Sequence, residues 1–246
     1  MSYIDGFVIP VPTANRQAFI DHARRADAFF MEHGATRIVE GWGVDVPQGK
    51  VTDFAGAVAA TPDETVAFSW IEWPDKAARD GVMKRMDELI GDDPRWDPAA
   101  NPMPFDGQRM IYGGFQPIVE LGRRRKGSYV QGFVLSSSEA KREAYRTMAE
   151  EAWAFFAEYG ALRVVEGWQD DVPAGKRTDF FRAVKAEPGE TVLFSFIEWP
   201  SKEVCDEAAK KMESDERMKA PDEMPFDAQR MIYGGFTPVV ELGEVQ

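Results

Sequence analysis

The chain has 246 residues, of which 44% are hydrophobic, 29% charged and 12% aromatic, a composition typical of soluble globular proteins. The formal net charge of −13 opposes binding to a phosphate backbone, so the composition argues against a nucleic-acid partner. A single cysteine, Cys205, excludes an intrachain disulfide, and no apolar stretch reaches the ~18 residues of a membrane-spanning helix. The first residues do not resemble a signal peptide, so we expect a cytoplasmic protein without a membrane partner.

The second half of the sequence repeats the first. Residues 3–8 (YIDGFV) return as 129–134 (YVQGFV), and residues 103–115 (MPFDGQRMIYGGF) return as 224–236 (MPFDAQRMIYGGF). Repetition over the whole length predicts two copies of one domain, at residues 1–122 and 128–246. Residues 123–127, which include three arginines and a lysine, read as an exposed basic linker without a partner rather than as an anion site.

Each copy begins with the pattern of a strand followed by a helix. Residues 3–9 form an apolar and aromatic run that ends at Pro10 and Pro12. Apolar residues at three- and four-residue spacing then predict a helix, with Thr13 as its N-cap. In the second copy Ser136 and Glu139 have the spacing of a capping box. Gly34 and Gly160 follow these helices, where a left-handed C-cap is expected.

The rest of each copy predicts three more strands and a second helix. In the first copy the strands are expected near residues 37–42, 66–73 and 109–120, and the helix after Pro74 with Asp75, or Ser201 in the second copy, as its cap. This β-α-β-β-α-β order is the ferredoxin-like arrangement, an α+β fold with both helices on one side of the sheet. We expect the two bare, aromatic sheet faces to pack against each other within the chain, as a monomer with internal pseudo-twofold symmetry or as part of a homodimer.

Several of these strings carry a family resemblance. Residues 5–7 (DGF), 45–47 (DVP), 68–71 (FSWI) and above all 103–115 resemble the uncharacterised YbaA-like family, whose members are usually single domains. The resemblance implies a tandem duplication within the dimeric α/β-barrel superfamily, and therefore two ferredoxin-like repeats that form an intramolecular pseudo-dimeric α/β barrel. It implies no activity. The superfamily includes cofactor-free monooxygenases, haem-degrading enzymes and dehydratases, and analogy at the level of fold is weak evidence for any of these.

Two repeated pairs of polar residues could hold an anion. Arg109 lies three residues after Asp106, and Arg230 three residues after Asp227. This spacing allows the aspartate carboxylate to orient the arginine side chain. An ion pair that only stabilises the turn before the last strand is the simpler interpretation.

Other repeated polar residues are weaker candidates for chemistry. By alternation, Glu72 and Glu198 share a strand face with aromatic residues, where burial could raise a carboxyl pKa and make it a general acid or base. Exposure at the end of the strand is the simpler explanation. Lys50 and Lys176 follow glycine in a loop but lack the flanking pattern of a phosphate-binding loop, so they read as solvated lysines.

A second set of polar residues occurs only in the first copy. Asp5 and Arg79 have Gln131 and Cys205 as their counterparts, and the resemblance extends to this Asp and Arg. If the face of the first strand that bears Asp5 lines the cleft between the sheets, Asp5 becomes a proton-transfer residue with Arg79 or Tyr112 as partner. The alternative is that Asp5 points outward without a role.

These observations support two hypotheses of different classes. The first is a small-molecule site in the cleft between the sheets, catalytic through acid–base or cofactor-free oxidoreductase chemistry. Its candidate catalytic residues are Asp5, Arg79 and Tyr112. Its candidate substrate-binding residues are Trp42, Trp70, Arg109, Trp168, Arg230 and Tyr233. The second hypothesis is a non-catalytic interaction protein in which duplication makes an obligate domain pair permanent.

The sequence indicates neither a cofactor nor a metal. The only histidines, His22 and His33, lie on one predicted helix. Eleven residues of helix would separate them by about 16 Å, too far to bind the same ion.

Overall fold

A computed structural model describes residues 2–218 and 223–243. The elements of the first half are β1 (Tyr3–Pro12), α1 (Arg16–Glu32), β2 (Arg37–Asp45), α2 (Phe54–Ala57), β3 (Glu64–Trp73), α3 (Lys76–Met83), α4 (Met86–Ile90) and β4 (Ile111–Gly122). Those of the second half are β5 (Tyr129–Ser138), α5 (Arg142–Glu158), β6 (Arg163–Asp171), α6 (Phe180–Ala183), β7 (Glu190–Trp199), α7 (Lys202–Ser214) and β8 (Ile232–Gly243). Single 3₁₀ turns lie at Thr13–Asn15, Pro94–Trp96, Glu139–Lys141 and Glu216–Met218. Within these ranges no helix has the length and apolar character needed to cross a membrane.

Four of the predicted helix ends are confirmed. Asp75 accepts a hydrogen bond of 2.8 Å from a backbone amide in the first turn of α3, and Ser201 accepts one of 3.4 Å in α7. Gly34 and Gly160 have φ angles of 104° and 101° at the ends of α1 and α5, the left-handed conformation that glycine adopts without strain.

The predicted caps of α1 and α5 are wrong. The hydroxyl of Thr13 bonds to that of Thr65 at 2.8 Å, and Ser136 lies inside β5, where it donates to Glu190 at 3.0 Å. A 3₁₀ turn precedes each helix instead, and β1 continues through both of its prolines. It pairs with β3 over its whole length but with β4 only over residues 4–8, and prolines are tolerated where a strand has a single partner.

The eight strands close into one barrel in the order β1-β3-β2-β8-β5-β7-β6-β4. Two antiparallel pairs join the halves, β2 with β8 and β4 with β6. The predicted α+β barrel within one chain is therefore confirmed. The sheets do not merely face each other, however, because their edges are hydrogen-bonded and closure covers the edge that each half would expose alone.

Aromatic rings from both halves fill the barrel. Phe68 stacks on Phe194 with ring centroids 4.4 Å apart, and Trp70 stacks on Phe196 at 4.1 Å. All four side chains are fully buried and belong to one hydrophobic core that both halves build. The short helices α2 and α6, which the sequence did not predict, add one further phenylalanine each to this core.

Gly6 and Gly132 make this stacking possible. A Cβ atom at Gly6 would lie 2.8 Å from the ring of Phe194, and one at Gly132 would lie 2.9 Å from the ring of Phe68. Non-bonded carbon atoms do not approach so closely. The glycine of the repeated Gly-Phe string is therefore required by packing between the halves.

We predict that Gly6→Ala destabilises the protein by about 1–3 kcal/mol, the usual cost of forcing an extra carbon into a packed core. Gly81→Ala is the matched control, because a Cβ atom there meets nothing within 4 Å and the residue lies inside α3. The control should gain about 0.5–1 kcal/mol from its higher helix propensity. Urea denaturation measures both, and equal effects would contradict the proposed packing constraint.

Candidate functional site

Asp5 lies on the helix-facing side of β1. Its neighbour Ile4 belongs to the core inside the barrel, whereas Tyr3 packs with Trp73 and Phe30 in a separate cluster under the helices. The face that bears Asp5 therefore does not line the space between the sheets, and the condition for its predicted proton-transfer role is not met. Asp5 is also not exposed on the outer surface, since it is buried.

The carboxylate of Asp5 is held by three donors. Trp73 Nε1 donates at 2.8 Å, and Arg79 donates through Nε at 3.1 Å and Nη2 at 2.9 Å. Burial raises the pKa of Asp5, and Arg79 opposes that effect. Arg79 also donates to Asp171 at the end of β6 at 2.6 Å, so this cluster ties the first half to the second.

In the second half Gln131 replaces Asp5 and accepts the equivalent hydrogen bond from Trp199 Nε1 at 2.8 Å. Asp5 and Gln131 are thus alternative acceptors for the same indole. The retained contact indicates a positioning role for this residue in both halves.

The other candidate residues do not gather around Asp5. Tyr112 stacks on Phe7 at a centroid distance of 6.5 Å and is 50% exposed. Trp42, Trp70 and Trp168 are buried, so their rings offer no free surface to a ligand. They were expected to bind substrate, and the structure gives them packing roles instead.

The two Asp–Arg pairs form as predicted, at 2.9 Å in both halves. Each arginine is also held by a glutamate at the start of a neighbouring strand, Arg109 by Glu64 and Arg230 by Glu190. The guanidinium groups are therefore engaged in stabilising the turn. This arrangement matches the simpler interpretation of the pairs.

Glu72 and Glu198 are completely buried in a cluster with Arg37 and Arg163, so the expectation that they are exposed is wrong. Arg37 donates through both Nη atoms to Glu198 at 2.8 Å, and Arg163 donates to Glu72 at 2.8 and 3.0 Å. Both bidentate pairs cross between the halves. Burial raises the pKa of Glu72, but Arg163 and Arg37 more than offset this and hold it below its usual range, so Glu72 is not poised as an acid or base near neutral pH.

The linker also takes part in this cluster. Arg124 Nη2 contacts Glu72 Oε2 at 2.6 Å, and the amide of Gly127 donates to Glu241 at 2.9 Å. The side chain of Arg124 is only 28% exposed. The prediction that residues 123–127 have no partner is therefore wrong.

We predict that Arg124→Ser lowers the free energy of unfolding by about 1–3 kcal/mol, because a buried carboxylate loses a charged hydrogen bond. Arg125→Ser is the matched control from the same segment. It should change stability by no more than about 0.5 kcal/mol, as is usual at a surface position. Thermal unfolding compares the two, and a silent Arg124→Ser would show that the contact contributes nothing.

Asp27 and Glu40 form a buried carboxyl pair between α1 and β2. Asp27 Oδ2 has no hydrogen-bond partner in the described chain, and Glu40 accepts one from the Ser69 hydroxyl. Burial raises the pKa of Glu40 to about 7. Burial and the neighbouring Glu40 together raise the pKa of Asp27 well above its usual value.

Raised carboxyl pKa values make the folded state bind protons more tightly than the unfolded state. The contribution of Glu40 is thus fully present below its usual pKa of 4.5 and is lost as the pH rises through about 7. We predict that Glu40→Gln flattens this decline and is more stable than the wild type at about pH 8, by up to about 3 kcal/mol. Urea denaturation at several pH values measures it, with the exposed Glu88→Gln as control. A Glu40→Gln curve as steep as that of the wild type would refute the role of Glu40.

Two surface pockets of similar composition lie where the halves meet. The first, of about 480 Å³, is lined by residues 107–112 other than Arg109, which lead into β4, and by the loop 173–179 after β6. The second, of about 460 Å³, is lined by the equivalent segments 228–233 and 47–53. Each pocket therefore needs one segment from each half.

Each pocket contains one tyrosine and one lysine at equivalent positions. Tyr112 and Tyr233 are 50% and 51% exposed, which is unusual for rings in this aromatic-rich chain. Lys176 and Lys50 contribute the ammonium groups. Neither lysine forms an ion pair with the residues that the structure describes. In the sequence both read as solvated loop lysines, although the repeated Gly-Lys-x-Thr-Asp string is a signal that the loop is built in the same way twice.

An aspartate fixes each of these loops. Asp53 accepts hydrogen bonds from the amides of Gly49 at 3.0 Å and Gly56 at 2.7 Å, and Asp179 accepts the equivalent pair in the second half. Because both carboxylate oxygens are occupied, the aspartates shape the loops. Among the charged residues that both linings have in common, the lysines are left available.

Comparison with known proteins identifies the family of this chain. The sequence model of a protein family described as "Protein of unknown function (DUF1428)" matches residues 2–107 and again residues 128–228. The chain belongs to this family. The double match confirms the tandem duplication. A relative of single-domain length, "Uncharacterized protein YbaA" of Escherichia coli K12, is 58% identical over 114 residues, which are 46% of this chain and 97% of the relative.

Solved structures of low sequence identity share the fold. A "putative monooxygenase" from Lactobacillus acidophilus superposes with a TM-score of 0.60 at 12% identity, over 100% of this chain and 99% of the other. An "anthrone oxidase-like protein" gives a TM-score of 0.57 at 10% identity, over 98% and 92%. At this level of identity the likeness concerns the architecture of the barrel.

Proposed function

We propose that this protein binds small organic molecules in two pockets, each of which is completed by both halves of the chain. The observation that carries the proposal is the pair of cavities of about 480 and 460 Å³ with equivalent linings. Volumes of about 300–1,000 Å³ are usual for small-molecule sites. In this proposal two ferredoxin-like units, residues 1–122 and 128–246, are fused so that each supplies half of both sites.

The pockets support the proposal better than the barrel interior does. The stacked rings of Phe68 and Phe194 occupy the space where the sequence suggested a ligand cleft. In the pockets, by contrast, Tyr112 and Tyr233 are about half exposed, beside the partly exposed Met110 and Met231. A ring surface next to an unpaired ammonium group offers a ligand both apolar contact and a polar anchor.

Oxidation of a bound phenol, with O2 as the oxidant and no cofactor, is the second candidate function. What favours it is the fold shared with proteins named "putative monooxygenase" and "anthrone oxidase-like protein". In this version Tyr112 and Tyr233 contact the substrate, the pocket lysines hold its phenolate, and Asp5 with Arg79 positions the adjoining strand. Oxygen uptake on addition of a phenol, lost in the Lys50→Ala, Lys176→Ala double variant, would establish it.

We predict that isothermal titration with the neutral probe naphthalenemethanol finds two sites per chain. Tyr112→Ala and Tyr233→Ala should each weaken one site about fivefold, because each removes a ring contact worth about 1 kcal/mol. The double variant should weaken both.

Val44→Ala is the control, since Val44 is 52% exposed and lies outside both pockets. It should leave both affinities unchanged. Absence of binding would favour the hypothesis of a non-catalytic interaction protein. If neither tyrosine substitution weakens the affinity, the ligand binds outside these pockets.

A further inference from the structure

The two pockets differ in charge at a single position. The loops read Pro-Gln-Gly-Lys-Val-Thr-Asp over residues 47–53 and Pro-Ala-Gly-Lys-Arg-Thr-Asp over residues 173–179. The facing segments differ only at Gly107 and its counterpart Ala228. Val51 in one pocket therefore stands where Arg177 stands in the other.

We propose that the pocket containing Lys176 and Arg177 is selective for an aromatic carboxylate, and that the pocket containing Lys50 and Val51 is not. This inference rests on the proposed function and specifies the ligand class of one of its two sites. The inference depends on which charged side chains in each lining are already paired and which are available to a ligand.

Arg177 has N–H donors that are not used in close hydrogen bonds. Its side chain is 58% exposed, and it reaches Asp106 only at 3.6 Å and Gln108 only at 3.5 Å. Arg109 holds Asp106 more closely, at 2.9 Å. Because a guanidinium carries five N–H donors, Arg177 can turn to an incoming carboxylate at little cost.

No carboxylate in the lining competes with a bound anion. Asp179 is buried, and its oxygens accept from the amides of Gly175 and Arg182 and from the guanidinium of Arg182. Lys176 has no ion pair among the described residues. The first pocket therefore carries two available cations and the second only Lys50.

This local excess of positive charge stands out on a chain of net charge −13. A cationic cleft in an acidic protein concentrates anions that the rest of the surface repels. A guanidinium next to an ammonium matches a carboxylate group, which accepts charge-assisted hydrogen bonds from both.

The aromatic part of the ligand follows from the other wall of the pocket. Tyr112 is 50% exposed, and the partly exposed Met110 lies in the same segment of the lining. A volume of about 480 Å³ accommodates one or two fused rings with the carboxylate directed at Arg177.

The test uses two probes of the same shape, naphthoate and the neutral naphthalenemethanol, with the full chain in isothermal titrations. Naphthoate should bind the first pocket about tenfold more tightly than the second, equivalent to about 1.4 kcal/mol. Naphthalenemethanol should bind both pockets alike. Tyr112→Ala and Tyr233→Ala identify which site gives which affinity.

The reciprocal variants Arg177→Val and Val51→Arg provide the matched comparison. Arg177→Val should lose the tenfold preference for naphthoate without changing the affinity for naphthalenemethanol, and Val51→Arg should create the preference in the second pocket. Arg177 is exposed, so its replacement should leave the melting temperature unchanged.

Each remaining outcome overturns a definite statement. If naphthalenemethanol binds both pockets but naphthoate shows no preference that depends on Arg177, the ligand class is wrong and the proposed function stands. If neither probe binds the wild-type chain, both fail.

Discussion

Two arginines and two glutamates are buried together inside the barrel, and the rest of the structure depends on how their charges are neutralised. Arg37 from the first half bonds Glu198 from the second, and Arg163 from the second bonds Glu72 from the first. Burying an unpaired charge costs several kcal/mol. A half without its partner would lose the bidentate pair and, among these four residues, keep only the contact of Arg37 with Glu72 at 3.4 Å, or that of Arg163 with Glu198 at 3.0 Å. The bidentate pairs therefore favour the correct pairing of the halves.

The same pairing creates the candidate sites. Hydrogen bonds between β4 and β6 place residues 107–112 beside the loop 173–179, and those between β2 and β8 do the same for the second pocket. The rings of Phe68 and Phe194 meanwhile fill the interior. The space for a ligand therefore lies outside the barrel, at the two junctions where a loop of one half meets the segment that precedes the last strand of the other half.

The sequence predicted the architecture well because its signals were local or repeated. Alternation correctly placed Glu72 with Phe68 and Trp70, and Asp75, Ser201, Gly34 and Gly160 marked helix ends by their own chemistry. The errors came from contacts between distant residues. Nothing near Glu72 in the sequence shows that Arg163 will bury it, and nothing near Arg124 shows that it reaches the same carboxylate. Likewise, alternation puts Asp5 on one face of its strand but cannot say which face meets the helices. Lys176 looked solvated because its pocket is completed by residues from the other half.

The register of the closing strands has a consequence for biosynthesis. Arg37 pairs with Gly243, so the barrel cannot close along β2 until the last strand, β8, has been made. Contacts this far apart in sequence form slowly, because a long loop must close before they contribute. A ribosome-bound chain that ends before β8 would leave the edge of β2 unpaired and the barrel core without Phe236. Such nascent chains are aggregation-prone, and they are the species that a chaperone would have to protect.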